Sequence, residues 1–494
     1  MVENEMIELK IKHSLKFNAL MNMILTSSSV IFPLITVPYV SRALNPAGVG
    51  AVSFAQSIVT YFSLAAMLGI STYGVRACAQ ARDDEKKLAH VVQELLVILA
   101  VSTTIVFAVY LFALAVVPRF TEDRPLFLIF GIALWLASFG VEWFYQAIEQ
   151  YGYITIRSIA VKLIGLILMF LLVHNADDYR IYGAIVVFTG YGANILNMIR
   201  LHRLVKFRPW RELNIRRHFK PMRSFFVSSV SSGMYAQADM VLLGFLAPNN
   251  IVGIYQLVAK IKNMLVMAIN SVVNVMLPRL SYYAANAHDK YRDLLIKNIG
   301  FVLLFASAGI AVATFNAHAI IGILGGDQYQ AAAVPLLLIL PALLFVSLNT
   351  VLSQYLISSG HEKQYATVNF IGLISSIIYC LILIPLYGAA GAALSCSLCE
   401  LTALIIRCIY ARDFLRRIIP HIQLWQAPVS AIIAGLLTVL VTKPWIPDNP
   451  ILHILVTCLI FVCFYFGGLS LTRESITISI TERIWQLLRI KRTH

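Results

Sequence analysis

The sequence predicts an all-α polytopic membrane protein with about 14 transmembrane helices. Two six-helix lobes form a parallel repeat, and two further helices follow. Three observations predict this. Hydrophobic residues make up 59% of the chain and charged residues 13%, with mean hydropathy +0.78; a soluble domain carries about twice that charge. Apolar runs of about 20 residues, long enough to cross a bilayer, recur along the 494 residues. Finally, the chain is duplicated. Leu44-Asn45-Pro46 with Gly50 returns as Leu246-Ala247-Pro248 with Gly253, and Tyr182-Gly183-Ala184 returns as Tyr387-Gly388-Ala389, at offsets of 202 to 205 residues. Duplicated membrane helices suit a transporter, because two like halves can rock around a site between them.

The elements follow in order. Residues 1–16 are polar and form a cytoplasmic segment with no cleavable signal. Six spans, at 17–40, 51–73, 91–117, 125–147, 153–173 and 181–203, make an N-lobe over 17–203. Residues 204–222, LVKFRPWRELNIRRHFKPM, are the longest basic loop and the lobe boundary. Six more spans, at 223–246, 251–277, 294–323, 331–358, 365–385 and 389–410, make a C-lobe over 223–411. An even number of spans per repeat gives both copies one orientation, so their axis runs along the membrane normal. Spans 13 and 14, at 425–442 and 451–471, lie outside the repeat. The tail 472–494 sets Ile476, Ile480, Ile484 and Leu487 at helical spacing among Arg483, Arg489, Lys491 and Arg492, an amphipathic helix for the cytoplasmic surface.

Net charge is +15, but its placement argues against nucleic acid. External loops hold Arg42, Arg119, Arg124, Arg180 and Lys443, and Lys162, Lys260 and Lys262 lie deep in spans. The other 31 of 39 Lys and Arg fall on the inner side. This is the positive-inside pattern, with both termini cytoplasmic. The surplus reflects topology and attraction to anionic membrane lipid. Six of seven cysteines fall within spans, so no disulfide framework is implied, and Cys396-x-x-Cys399 reads as small packing residues. External loops are too short for a catalytic domain, and no phosphate-binding loop is present. No cofactor or metal is expected.

Ionisable residues within the bilayer are expensive, so they are functional candidates. At about 1.5 Å per residue, Lys162 lies about 14 Å along span 5, near the middle of a ~30 Å core. Arg157 is one to two turns below it, and Glu142 is one hairpin away in span 4. The functional reading is a cationic site tuned by a carboxylate; the structural one is an ion pair that eases insertion. Asp239 lies ten residues before Asn249 and Lys260 eleven after it, so they can pair across that hairpin. Lys262 is about 200° round the helix from Lys260 and faces elsewhere. An offset of 203 maps Asp239 to Thr36 and Lys260 to Ser57, so these charges belong to one copy only. Span 4 also carries Trp135, Trp143, Tyr145 and Gln146. Trp and Tyr stack on sugars, and they also mark membrane interfaces. The substrate-binding candidates are Arg42, Arg157, Lys162, Lys260, Lys262, Trp143 and Gln146. Arg42 stands near the outer mouth, or simply caps span 1. Glu142 and Asp239 are candidates for ion-coupled gating.

The stretch from Phe32 to Pro46, FPLITVPYVSRALNP, with Gly48 and Gly50, resembles the first hairpin of bacterial polysaccharide-unit flippases (O-antigen, Wzx-type). So do Gly69–Arg76, Glu142–Glu149, Asp239–Gly244, Leu277–Ser281 and Pro385–Ala393. The resemblance covers about residues 15–410 and extends to the superfamily of drug-extruding (MATE) transporters and lipid II flippases. It departs at Asn45, where the family usually has Gly, and in spans 13 and 14, beyond the twelve of many relatives. The resemblance implies lobes forming a V around a cationic cavity, in the bacterial cytoplasmic membrane. It implies a polyprenyl-diphosphate-linked glycan moved to the outer leaflet for cell-surface polysaccharide synthesis, with polymerase or export proteins as partners. Arg and Lys in a low-dielectric cavity suit a diphosphate, and no enzymatic step is required. A drug/cation antiporter predicts an acidic cavity instead. A glycan polymerase or ligase predicts a large external loop. A sugar transporter of the major facilitator class predicts a Gly-rich loop that residues 76–90 lack.

Overall fold

A computed structural model describes residues 14–205, 209, 212–443 and 449–472. The expected amphipathic tail falls outside the described residues. Every regular element among those described is helical. Two compact units, Met1–Gly253 and Ile254–His494, divide the chain.

The first unit opens with α1 (Leu15–Met67), whose 53 residues would be about 80 Å long if straight. It breaks at Asn45, which adopts φ 56°, ψ 174°. The Asn45 carboxamide accepts the Ala47 and Gly48 N–H groups at 3.0 and 3.2 Å, so its side chain stabilises the left-handed turn that glycine would otherwise supply. Thr36 and Gln56, on opposite sides of this break, line one cavity, so the helix doubles back here as two spans. Then come α2 (Ile70–Ala81), α3 (Glu85–Val116), the single turn α4 (Pro118–Thr121) and α5 (Arg124–Ser138).

The fourth expected span is not continuous. It stops at Ser138 and resumes as α6 (Glu142–Ala147), with Val141 at φ 36° between. Two asparagines compensate the carbonyls that the break releases. Asn194 donates to Leu136 O at 3.0 Å, and Asn197 donates to Gly140 O. After α7 (Tyr151–Leu172), α8 (Tyr179–Val187) runs through a π-helical turn, Phe188–Gly192, into α9 (Ala193–Leu204). Gly183 therefore lies inside α8, where a Cβ would meet Leu126 at 2.7 Å. Its repeat partner Gly388 is a true turn residue at φ 55°. The recurring Tyr-Gly-Ala block thus serves packing in the first copy and a turn in the second.

Next, α10 (Arg216–Leu246) contains the seventh expected span, yet it is too polar to count as a candidate crossing helix. Ser228, Ser229, Ser231, Ser232, Gln237 and Asp239 lie along it. A span this polar needs polar surroundings. The chain continues into α11 (Asn249–Val275), which leads to the second unit.

There, α12 (Leu277–Asn286), α13 (His288–Phe315), α14 (Ala317–Leu324), α15 (Ala333–Ser358), α16 (Glu362–Tyr387) and α17 (Ala389–Tyr410) complete the second copy. The short α18 (Arg412–Ile418) meets α19 (Gln426–Thr442) at 59°, and α20 (Pro450–Leu471) ends the described chain. These last two spans dock on α13 and α14. Tyr465 donates to Leu304 O at 2.8 Å, and Thr457 meets Asn316 at 2.9 Å. Among the described residues eleven helical segments are long and apolar enough to cross a membrane, twelve with the bent pair counted as one. The first of these, 66 residues long, contains two spans. The molecule is a multi-pass membrane protein.

Candidate functional site

Two polar centres occupy the first unit. One is built by the break in the fourth span. Because α6 starts at Glu142, that carboxylate stands in a first helical turn, where backbone N–H groups and the dipole favour negative charge. Arg157 on α7 reaches it, Nη2 to Oε2, at 2.9 Å. The Arg157 side chain is 4% exposed and Glu142 41%, so the guanidinium is buried and its partner half in the open. Gln146 donates to Glu142 at 3.2 Å. Arg157 also stands 5.9 Å from the Tyr153 ring, and Arg200 stacks on the other side of the cluster at 4.1 Å from the same ring. The structure thus brings Glu142, Gln146 and Arg157 together as the sequence suggests.

A buried guanidinium robbed of its carboxylate is costly. We expect Glu142→Ala to lower stability by about 1–3 kcal/mol, discounted for the exposure of Glu142. Pairing it with Arg157→Met should recover most of that loss in thermal unfolding of the purified protein.

Trp143 takes a different place from the one expected for a sugar platform. It is 3% exposed and packs in the core with Tyr73, Leu95 and Phe144. Gly74 makes room for it: a Cβ there would lie 2.8 Å from the indole. No face of Trp143 is open to a glycan, so here the aromatic is core rather than binding surface.

The second centre surrounds Lys162, one to two turns along α7 from Arg157. Its ammonium donates to Ser28 Oγ at 2.9 Å and Ser29 Oγ at 3.1 Å, and lies 5.8 Å from the Phe32 ring. It lines a cavity of about 300 Å³ with Ser29, Thr36, Gln56, Tyr182 and Thr189. The far wall includes the π turn at Phe188–Gly192, a local departure that often marks functional sites. Gly165 allows that wall to approach, since a Cβ there would overlap Thr189 at 1.9 Å. Among the described residues no carboxylate lines this cavity. Its hydroxyls and amide are neutral, so its fixed charge is positive, and an anion is the ligand it suits.

The remaining candidates are separate. Arg42 is exposed and donates to Pro38 O at 3.0 Å, within its own helix. Asp239 on α10 accepts the Met240 N–H at 2.8 Å. In the second unit Lys260 is half-buried on α11, and Lys262 reaches Cys396 Sγ at 3.4 Å. Cys399 donates to Gly372 O at 3.1 Å. The Asp239–Lys260 pair stays an expectation of the sequence.

Sequence reasoning missed the partners of four polar groups. Glu94 on α3, 1% exposed, accepts four hydrogen bonds: from the Asn214 N–H at 2.6 Å, from Arg217 at 2.8 and 2.6 Å, and from His218 Nε2 at 2.6 Å. An acid inside the apolar run 91–117 was the available signal. In the second unit Asn349 donates to the Glu400 carboxylate at 2.8 Å, and buried Arg407 donates to Asn369 at 2.9 Å. Arg119 is the fourth: besides pairing with Glu122, it donates through Nε to Gly244 O at 3.0 Å and through Nη2 to Asn249 Oδ1 at 2.6 Å.

Comparison with known proteins agrees with this architecture. Residues 15–284 match the family described as "Polysaccharide biosynthesis protein", and residues 225–382 match the MatE family. A putative O-antigen transporter of Escherichia coli (strain K12) is 23% identical over 406 residues, covering 80% of this chain and 96% of its own. A putative O-antigen transporter of Shigella dysenteriae is 25% identical over 386 residues, covering 77% and 96%. In structure, the lipid II flippase MurJ in an inward closed conformation superposes with a TM-score of 0.68 at 15% identity, over 93% of this chain and 99% of that one. This likeness concerns the fold. With more than half of its length matched, the chain belongs to the polysaccharide biosynthesis protein family.

Proposed function

We propose that this protein is a flippase that moves polyprenyl-diphosphate-linked oligosaccharide units across the bacterial cytoplasmic membrane for cell-surface polysaccharide synthesis. The observation that carries the reading is the Lys162 cavity, a largely apolar space that holds one fixed positive charge, a few hydroxyl and amide groups, and no carboxylate among its described lining residues. The diphosphate is the part of such a substrate that needs a cation, and its glycan needs hydroxyl and amide partners of the kind Ser29, Thr36 and Gln56 supply. The relatives named O-antigen transporters support the substrate class. Arg157, Lys260, Lys262 and Gln146 are the further contacts we assign, with Glu142 and Asp239 as gating carboxylates. Both termini lie in the cytoplasm in this reading, anionic lipid holds the basic inner face, and polymerase or export proteins receive the unit. The protein carries no enzymatic step of its own.

The match to the MatE family gives the second reading, a drug/cation antiporter. Proteoliposomes decide between them. We expect transfer of a polyprenyl-diphosphate glycan between leaflets, and no uptake of cationic dyes with or without an ion gradient. Dye transport without glycan transfer would transfer the assignment to the antiporter.

A further inference from the structure

The ion pair between Glu142 and Arg157 leaves half of a binding edge empty. Nη2 of Arg157 donates to Glu142 Oε2 at 2.9 Å, while Nη1 reaches Asn194 Oδ1 only at 3.5 Å. Nε–H, on the same edge of the guanidinium as Nη2, is buried and meets no acceptor among the described residues. Such an edge is a fork of two parallel N–H groups that matches two oxygens of one anion. Here one donor is used and the other is orphaned, which is costly in a buried position. The carboxylate that holds this edge therefore fits it only in part.

Access to the two partners is unequal. Arg157 is buried and Glu142 is half open. A ligand reaches the guanidinium by taking the place of the carboxylate, since no other side of Arg157 is exposed. The displaced carboxylate is not stranded, because it already stands partly in the open and Gln146 donates to its Oε1 at 3.2 Å. A second guanidinium is close: Arg200 lies over the Tyr153 ring at 4.1 Å, and Arg157 stands 5.9 Å from the same ring. Glu149, the next carboxylate along the chain, is held by Arg82 at 2.8 Å. All these residues belong to the first unit.

We propose that Glu142 is a built-in competitor for the anionic head group: a phosphate of the lipid diphosphate displaces it and takes the Nε and Nη2 edge of Arg157 with two oxygens. The inference rests on the flippase reading. The exchange swaps one anion for another, so the buried guanidinium is never left unpaired, the state that is most costly. It also fills the Nε donor that the carboxylate leaves empty. Competition keeps the apparent affinity below that of the open fork, because only the fraction of molecules with a free fork can bind. A carrier needs that weakness, since a head group held too tightly would not leave. Glu142 thus acts through Arg157 as a positioning residue that sets how tightly the diphosphate is held.

Binding of farnesyl diphosphate and of inorganic pyrophosphate to the purified full-length protein in detergent tests this without a transfer assay. Glu142→Gln should tighten both by about tenfold or more (about 1.4 kcal/mol). Glu142→Asp, with its carboxylate drawn back by one methylene, should tighten them by a smaller factor. Glu149→Gln should change them by less than about twofold, and so should Glu142→Gln in an Arg157→Met background. Unchanged or weaker binding in both Glu142 variants would overturn the proposal. So would a gain that survives Arg157→Met, because it would reflect only the loss of one negative charge. The wild type should bind farnesyl diphosphate more tightly than pyrophosphate; the reverse order would make the ligand a free phosphate and overturn its assignment to a lipid head group. The flippase reading fails separately, through absent glycan transfer in proteoliposomes while the Glu142 effect on diphosphate binding persists.

Discussion

Replacing Lys162 with alanine should reduce glycan transfer by about 10- to 100-fold in proteoliposomes, with the protein still inserted and folded. The size follows from what one charge-assisted contact is worth. A hydrogen bond to a charged group contributes about 1.5–3 kcal/mol, and each 1.4 kcal/mol is about tenfold. The ammonium donates to Ser28 and Ser29 and stands over the Phe32 ring, so its removal leaves hydroxyls that can bond each other or water. That is why folding survives. Lys162→Arg should retain part of the rate, because charge is kept while the compact donor is replaced by a wider planar fork. Lys162→Glu should lose transfer altogether and gives the cavity the sign that a cation would favour. Transfer that is unchanged in Lys162→Ala would remove this residue from the substrate path. The control belongs on Arg42, whose side chain donates to Pro38 O within its own helix and does not line the Lys162 cavity: Arg42→Ala should change transfer by less than about threefold.

What was legible in the sequence and what was not follow one physical line. Membrane helices announce themselves through length and apolarity, since every span must bury its own backbone in hydrocarbon. The repeat was equally visible, because turn residues such as Pro46 and Gly253 are chosen by backbone geometry. The pairing of Glu142 with Arg157 could be anticipated from depth alone, because a buried charge needs a partner close by. Three things could not be read. The break at Val141 has no Pro or Gly of its own at that residue, and it depends on Asn194 and Asn197 arriving from another helix to satisfy freed carbonyls. Trp143 lies in a stretch that suits an interface or a sugar, and only the space left by Gly74 shows that it is core. Arg119 looked like one more external charge, because besides nearby Glu122 its acceptors, among them the Gly244 and Ala247 carbonyls, lie more than 100 residues away. Backbone acceptors carry no sequence signature.

The largest effect on stability is expected at Glu94. Its carboxylate ties the segment entering α10 to α3, through the Asn214 N–H, the Arg217 guanidinium and His218. His218 is 2% exposed, and its Nδ1 meets Tyr73 OH at 2.7 Å. A carboxylate on Nε2 requires a proton there, so neutral His218 accepts the Tyr73 hydroxyl at Nδ1. Glu94→Ala strands that N–H in the core and should cost about 3 kcal/mol, while Arg217, 45% exposed, can turn to water. Glu94→Gln keeps one acceptor and should lose less. Burial lowers the pKa of the His218 imidazole below its ordinary value, with Glu94 opposing that shift. A folded-state pKa below the unfolded value means the unfolded chain binds the proton more readily. The contribution of neutral His218 is therefore present above about pH 6.5 and is lost as pH falls below it. Thermal unfolding of the purified protein at pH 7.5 and 5.5 measures both points. The wild type should lose stability on acidification, His218→Gln should lose less, and Glu94→Ala should unfold first at either pH. Equal midpoints for Glu94→Ala and the wild type would mean that the tie between α3 and the start of α10 contributes nothing to the fold.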